Sequence, residues 1–203
     1  MLDSWQSLSK HLEDTKVEKN GLEYLKLTPG KSKVRFAGAP VVYYGFFHEG
    51  RSYVCPQDLV ASVVKVGMKP KQMIAAYCFD RTAGTADVKV LDKSVSFYSP
   101  IIEIAKETSI EPGAESAHEY LITTTGTGLA TRYTVLPVRQ TPYTPEEREA
   151  IKTLDMDALK RRYRSDKDRE AIQDIISDLS TPLVLKFPGI ESPGEAEPLD
   201  KIF

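Results

Sequence analysis

Hydrophobic and polar residues alternate along several short stretches of the chain, a pattern that is typical of half-buried β-strands. Between residues 31 and 37, Val34 and Phe36 share one face of such a strand, and basic side chains share the other. Further strands are predicted over residues 22–27, 41–48, 51–54, 72–80, 86–91, 119–125 and 129–136, with glycine- or proline-containing turns between many of them. Residues 57–70 fit a helix or a strand. The alternation therefore predicts a mainly β body.

Helical patterns appear in three other places. Residues 2–14 carry leucines and a tryptophan at spacings of three and four, which predicts a short amphipathic helix. Ser99 and Pro100 suit the cap and the first position of a second helix. Thr144 stands three residues before Glu147, as in a capping box, and helical periodicity then continues with breaks to about residue 179.

These patterns divide the chain into four predicted parts. They are an amphipathic N-terminal helix (1–15), a β core (20–143), a helical appendage (144–187) and a flexible acidic C-terminal tail (188–203). Short strands with one interposed helix suit a small Greek-key barrel such as the oligonucleotide-binding (OB) fold, although other small β folds share the pattern. We therefore expect a mainly β protein with an OB-fold core.

Composition excludes several classes of protein. Of the 203 residues, 41% are hydrophobic and 28% are charged, which excludes collagen-like and wholly disordered chains. No apolar run approaches the roughly 20 residues of a membrane-spanning helix, and the N-terminus lacks a signal-peptide layout, so we expect a cytoplasmic protein. The two cysteines, Cys55 and Cys78, suit a reducing compartment.

Charge is unevenly distributed along the chain. Residues 1–100 hold 14 Lys or Arg and 10 Asp or Glu, whereas residues 101–203 hold 13 and 19. A basic body that precedes an acidic end indicates binding to a polyanion and regulation of that binding by the acidic end.

Basic residues interleaved with aromatic residues are the strongest chemical signal. Single-stranded nucleic acid needs both, because cations offset the phosphate charge and flat rings stack on unpaired bases. The predicted phosphate contacts are Lys31, Lys33, Arg35, Arg51, Lys69, Lys71, Arg81, Arg132 and Arg139. The predicted stacking residues come from Tyr43, Tyr44, Phe47, Tyr53, Tyr77 and Tyr133. The alternative for each ring is a place in the core of a β protein.

The acidic tail is a second signal. Its acidic and terminal apolar residues could mimic nucleic acid in a basic groove or dock on a partner protein, or the segment could simply be solvated. The residues concerned are Glu195, Glu197, Asp200, Ile202 and Phe203.

Catalytic and metal-binding patterns are weak. His48, Cys55 and Cys78 are too scattered for a typical zinc site, so no metal or other cofactor is predicted. The sequence contains no recognisable pattern for a nucleophile–base pair. The segment Gly126-Thr127-Gly128 suits a hairpin turn better than a phosphate-binding glycine loop. We therefore expect a protein that is not an enzyme.

Several segments together resemble the phage single-stranded DNA-binding proteins of the T-even helix-destabilising type and their shorter relatives. The segments are residues 27–36, 53–56, 77–81, 88–91, 101–105 and 120–137, and the most specific is a strand, a Gly-x-Gly turn and a Thr-Arg-Tyr strand in the last of them. The resemblance covers residues 22–145.

The resemblance implies an OB-fold protein that coats single-stranded DNA, without sequence specificity, during phage DNA replication, recombination and repair in the host cytoplasm. It also implies a tail that regulates DNA binding and recruits replication proteins such as a polymerase, helicase or primase, and possible self-association on DNA. The zinc site of the T-even members is expected to be lost.

Two other functions remain open at this point. An interaction or scaffold protein of a phage particle or replisome would use the acidic helical region at 144–180 as its working surface. A metal-dependent nuclease would use clusters of acidic residues, which nothing in the sequence favours.

Overall fold

The computed structural model describes residues 22–164 and 166–180. The helix predicted over residues 1–15 and the tail predicted over residues 188–203 lie outside these ranges, and so do all five tail residues proposed to bind a partner. None of the helices in the described ranges is both long and apolar enough to cross a membrane.

Six strands form one antiparallel sheet, so the prediction of a mainly β fold is confirmed. They are β1 (Gly30–His48), β2 (Arg51–Cys55), β3 (Lys71–Asp80), β4 (Val88–Ser94), β5 (His118–Thr125) and β6 (Arg132–Gln140). The strand order across the sheet is β4-β3-β1-β5-β6, and β2 pairs with the last part of β1. The strands alternate between an inner face, which carries Phe36, and an outer face, which carries Tyr77.

The sheet is open, with β4 and β6 at its two edges, so it does not form a closed barrel. The outer edge of β4 pairs with residues 22–27 through two backbone hydrogen bonds. The Val90 amide donates to the Glu23 carbonyl at 2.7 Å, and the Leu25 amide donates to the Val90 carbonyl at 2.9 Å. Residues 22–27, predicted as a strand, thus contribute a single parallel bridge between Tyr24 and Val90. These two bonds use both the amide and the carbonyl of Val90, so this residue of β4 has no backbone groups left to pair with β6.

Strand β1 is long and irregular in its middle. Gly38-Ala39-Pro40, predicted to separate two strands, forms a bulge inside one 19-residue strand, where the pairing with β3 shifts between Ala37 and Val41. Gly38 has a φ of +65°, which favours glycine. The bulge bends β1, so that its first part pairs with β5 and its last part pairs with β2.

Two helices lie between β2 and β5. The short helix α1 (Val60–Lys65) follows a 3₁₀ turn, which resolves the ambiguous residues 57–70, and the longer helix α2 (Val95–Thr108) covers the inner face of the sheet. Helix α2 begins five residues before the predicted start at Pro100, with Ser94 at its N-cap. The prediction was wrong because the first turn is held by tertiary packing: Phe97 and Tyr98 are buried against the sheet core.

The helical appendage covers the outer face. It contains α3 (Pro145–Thr153), α4 (Met156–Arg162) and α5 (Arg169–Ser180). Helix α3 begins at the predicted capping box, in which the Glu147 amide donates to Thr144 Oγ1 and the Thr144 amide donates to the Glu147 carboxylate. Helix α4 packs its buried Leu159 on the outer face, and α5 places Ile172 against the β1–β2 hairpin.

Candidate functional site

A cleft of about 860 Å³ opens on the outer face of the sheet. One wall is the β1–β2 hairpin, the floor includes the first half of β3 and the end of β4, and the opposite wall comes from the end of α4 and the start of α5. We call this space the hairpin cleft. It contains six of the residues predicted to bind DNA, namely Tyr43, Phe47, Arg51, Tyr53, Lys69 and Lys71.

Positive charge dominates the lining of the hairpin cleft. Arg51 contributes from the hairpin, Lys69 from the segment before β3 and Lys71 from β3 itself. Arg162 and Lys167 contribute from the appendage. The carboxylates among the described lining residues are Asp92 and Asp168. Five basic groups therefore face two acidic groups, a balance that attracts anions.

Aromatic rings lie beside these cations. The Phe47 side chain is exposed, with 67% of its surface accessible. The Tyr53 ring stacks on Phe46 at a centroid distance of 5.4 Å, and the Arg51 guanidinium lies 4.8 Å from the Tyr53 centroid. Phe47 is thus open to stacking with a planar ligand, whereas Tyr53 is half-buried, with Phe46 and the Arg51 cation against its ring.

The cleft floor holds a hydrogen-bonded group of tyrosines around one carboxylate. The hydroxyls of Tyr43 and Tyr163 donate to Asp92 at 2.8 and 2.7 Å, and the two rings stack at 4.3 Å. The Tyr24 hydroxyl lies 3.1 Å from that of Tyr163. Burial raises the pKa of Tyr43 and of Tyr163 far above the usual tyrosine value, and the nearby Asp92 charge adds to both shifts. Both tyrosines therefore stay protonated and act as donors.

Asp168 joins the appendage to the hairpin. Its carboxylate accepts from the Val54 amide at 2.9 Å and from Arg51 Nη2 at 3.1 Å, and its residue surface is 6% exposed. A second contact pairs Arg169 with Asp58 at 2.9 Å. The Asp168 carboxylate offsets part of the Arg51 charge, so Arg51 is already engaged before any ligand arrives.

Arg35 is not available to a ligand, contrary to the sequence-based expectation. Its side chain is fully buried beneath residues 112–115 and Tyr143. Its donors are used by the main-chain carbonyls of Phe36, Pro112, Ala114, Glu115 and Thr141. Burial lowers the pKa of this guanidinium, and the carbonyl dipoles surround it. Arg35 therefore holds the loop before β5 against the sheet.

Arg81 is also occupied within the protein. It donates to Glu147 at 2.6 Å and to Glu119 at 3.1 Å, with only 12% of its side chain exposed. Those bonds raise the Arg81 pKa, with the Glu147 bond as the largest contribution. A smaller cleft of about 470 Å³ brings Arg81 together with Lys33 and Arg139, but its lining also includes Glu119, Glu146 and Glu147. Its charges are balanced, unlike those of the hairpin cleft.

Lys31 and Arg132 lie at the opposite end of β1 from the hairpin. Strand pairing places Lys31 opposite Thr123 and Arg132 opposite Thr125, so both basic residues share the outer face. Tyr133 points to the other side, where its ring packs edge-on against Phe97 and its hydroxyl accepts from Lys93 Nζ at 3.0 Å. The predicted cations therefore fall into separate groups.

Two more predicted stacking residues are packed inside the protein. Tyr77 is 1% exposed under α4, and its hydroxyl donates to the Asp155 carbonyl at 2.9 Å. Tyr44 is half-buried in the cluster that also contains Ile172. Both rings therefore follow the alternative stated in the sequence analysis, namely that a predicted stacking residue packs in the core instead. The appendage, which is distant in sequence, covers Tyr77.

The possible zinc ligands do not form a site. Cys78 is buried in the inner-face core, where burial raises its thiol pKa to about 12, and Cys55 lies in a different hydrophobic cluster. Within residues 22–164 and 166–180, no three His, Cys, Asp or Glu side chains are grouped closely enough to hold a metal ion. His48, Cys55 and Cys78 therefore do not fit the zinc centre of the T-even proteins.

The sequence analysis missed the cleft residues of the appendage. Arg161-Arg162-Tyr163-Arg164 interleaves basic and aromatic residues, as residues 31–53 do, and this signal could have identified Arg162 and Tyr163. Asp92 and Asp168 had no local signal, because their roles depend on contacts with distant strands and helices. Comparisons with protein-family models and with curated proteins found no match to this chain.

Proposed function

We propose that this protein binds single-stranded DNA in the hairpin cleft, without a defined recognition sequence and without catalysing a reaction. Phosphates would lie against Arg51, Lys69 and Lys71, and unpaired bases would stack on Phe47 and Tyr53. The observation that carries the proposal is that these three cations and the exposed Phe47 ring line one cleft, together with the half-buried Tyr53 ring. Phosphate neutralisation and base stacking are the two interactions that non-specific binding to single strands requires.

The strand order supports a relation to the OB fold. Without the β2 hairpin, five strands follow in the order β4-β3-β1-β5-β6, with α2 between the third and fourth strands of the chain. Pairing of β4 with β6 would close this sheet into a five-stranded Greek-key barrel, and OB folds are often partly open. We therefore regard the sheet as an opened OB-type barrel whose outer face is partly covered by the appendage.

The wider role follows from the resemblance to phage single-stranded DNA-binding proteins. In this proposal the protein coats single strands in the host cytoplasm during phage DNA replication, recombination or repair. The acidic tail would compete with DNA and recruit a polymerase, helicase or primase through its terminal residues.

The first experiment is a fluorescence-anisotropy titration of labelled oligo-dT at several salt concentrations. Each phosphate contact on a single strand contributes about −0.7 to the slope of log K against log salt, so three contacts predict a slope of about −2. A duplex of the same length should bind more weakly. Equal affinity for duplex and single strand, an affinity independent of salt, or no binding would overturn the proposal.

Variants then locate the site. The double variant Lys69→Ala/Lys71→Ala should reduce the steepness of the salt slope by about 1.4, because two phosphate contacts are lost. The matched control, Lys106→Ala/Lys152→Ala, removes two exposed lysines from α2 and α3 and should leave the slope unchanged. Equal slopes for the two double variants would exclude the hairpin cleft as the binding site.

Stacking has its own test. Phe47→Ala or Tyr53→Ala should weaken oligo-dT binding about 5- to 150-fold, the range expected for one base–ring stack of about 1–3 kcal/mol. Leu129→Ala, which shortens a fully exposed apolar side chain in the β5–β6 loop, serves as the control. Unchanged affinity in both ring variants would remove stacking from the mechanism.

A further inference from the structure

A second basic surface lies on the outer face of the sheet, where the first part of β1 runs beside β5 and β6. Strand pairing places Lys31 opposite Thr123 and Thr123 opposite Thr134, and every second residue of a strand points to the same side. Five of the six residues on this surface are exposed, and Thr123 is half-buried. We call it the basic sheet face; its residues are Lys31, Lys33, Thr123, Thr125, Arg132 and Thr134.

The cations of the basic sheet face have no counter-ion in the described part of the chain. Within residues 22–164 and 166–180, the side chains of Lys31 and Lys33 form neither an ion pair nor a hydrogen bond. Arg132 donates to the carbonyl of the preceding Thr131 at 3.1 Å. Three uncompensated positive charges on one face attract a polyanion.

The carboxylates beside the face do not neutralise it. Glu119, which precedes the face on β5, and Glu147 are both bound by Arg81, at 3.1 and 2.6 Å. The smaller cleft, which Lys33 also lines, adds Arg139 and Glu146, one charge of each sign. The basic sheet face therefore keeps its positive charge.

The spacing of the cations suits several phosphates at once. Lys31 and Lys33 are two residues apart on β1, which corresponds to about 7 Å at 3.3 Å per residue. Arg132 lies two strands and one residue pair from Lys31, about 12 Å for a strand spacing of about 4.8 Å. The threonine hydroxyls between these cations can donate to phosphate oxygens. The face thus presents cations and hydroxyls over the width of a nucleic-acid backbone.

The chemistry of the basic sheet face differs from that of the hairpin cleft, because none of its six residues is aromatic. The Tyr120 and Tyr133 rings of the same strands pack on the inner side. Single strands are held by stacking on rings as well as by charge. In a duplex the bases already stack on each other, and the backbone carries about one negative charge per 1.7 Å of axis. The face therefore suits a duplex better than a single strand.

We propose that the basic sheet face is a second DNA-binding surface, which holds the phosphate backbone of double-stranded DNA without reading its sequence. Lys31, Lys33 and Arg132 neutralise phosphates there, and the threonine hydroxyls add hydrogen bonds. This inference goes beyond the proposed function and does not depend on the hairpin cleft. Duplex binding remains weaker than binding to single strands, because no ring contributes stacking.

The test is a fluorescence-anisotropy titration of a labelled duplex, in parallel with oligo-dT of the same length. Each phosphate contact on B-DNA contributes about −0.9 to the salt slope, so three contacts predict a slope of about −2.7, or an affinity that falls about 40-fold from about 50 to 200 mM salt. Lys31→Ala/Lys33→Ala should leave a duplex slope of about −0.9, a fall of about 3- to 4-fold over the same range. Its slope for oligo-dT should not change.

Further variants assign duplex binding to this face. Lys69→Ala/Lys71→Ala, in the hairpin cleft, should leave the duplex slope unchanged, and so should the exposed pair Lys106→Ala/Lys152→Ala. Arg132→Ala should reduce the steepness of the duplex slope by about 0.9. This single variant decides the case if the double lysine variant does not fold.

The outcomes separate this inference from the proposed function. If oligo-dT binds but the duplex does not, or if the Lys31, Lys33 and Arg132 variants keep the full duplex slope, the inference is wrong and the proposed function stands. Equal losses of slope for duplex and oligo-dT in Lys31→Ala/Lys33→Ala also refute it, because the face would then belong to the single-strand path. A duplex slope that responds as expected, without any binding of oligo-dT, would support the inference and overturn the proposed function.

Discussion

Replacement of Arg35 distinguishes most sharply between the sequence-based and the structural view of this protein. The sequence predicts a phosphate contact at this position, whereas the structure buries the guanidinium against main-chain carbonyls. We expect Arg35→Met, which keeps a long side chain and removes every donor, to destabilise the fold. We expect no change in the salt slope of DNA binding per folded molecule.

The magnitude follows from the bonds that are lost. Arg35 Nη1 donates to the carbonyls of Phe36 at 2.9 Å and Pro112 at 2.8 Å, and Nε donates to that of Thr141 at 3.1 Å. A bond to a charged donor contributes about 1.5–3 kcal/mol, and the contributions do not add fully. The Tyr143 hydroxyl lies 2.8 Å from the Phe36 carbonyl and can still satisfy it. We therefore expect a loss of about 4 kcal/mol, a large part of the about 5–15 kcal/mol of a typical domain.

Urea unfolding followed by circular dichroism measures this loss. Lys33→Met, two residues earlier on the same face but exposed, is the control and should change the free energy of unfolding by about 0.5 kcal/mol or less. A loss of under about 1 kcal/mol in Arg35→Met would refute the structural role. A shallower salt slope with unchanged stability would restore the original assignment of Arg35 as a phosphate contact.

Three further predictions concern other parts of the molecule. Burial raises the pKa of Glu147, but hydrogen bonds from Arg81 and the Thr144 amide outweigh burial and hold this pKa below its ordinary 4.5. The ionised Glu147 carboxylate therefore stabilises the fold above pH 4.5, and this contribution is lost as the pH falls through the pKa of the folded state. Glu147→Gln should therefore cost about 2 kcal/mol at pH 7, and urea titrations should show the difference shrinking toward pH 3; a constant difference would contradict this. Asp168→Asn should remove the negative charge beside Arg51 and tighten oligo-dT binding at low salt, while the salt slope stays the same because Arg51 is already one of the three phosphate contacts; weaker binding would contradict this. Gly113→Ala would place a Cβ atom 2.2 Å from the Gly38 carbonyl oxygen, so it should cost about 1–3 kcal/mol in thermal unfolding, and an unchanged Tm would disprove this close approach.

Features that depend on a few neighbouring residues were predicted well. The capping box of Thr144 and Glu147 is an interaction over three residues, and it forms as expected at the start of α3. The alternation over residues 31–37 placed Val34 and Phe36 inside, where both are buried. Helix α2 shows the limit of this reasoning, because Phe97 and Tyr98 extend it upstream of Ser99 through contacts with the sheet.

The alternation of side chains over residues 31–37 was enough to separate the inner and outer faces of the first part of β1. The mixture of basic and aromatic residues identified six members of the hairpin cleft. Which outer-face residues remain open to solvent was decided by chain segments far away in sequence. Lys33 and Arg35 share one face, yet only Arg35 lies under residues 112–115 and Tyr143. Burial of one face of a strand is a property of two surfaces in contact, and local periodicity describes only one of them.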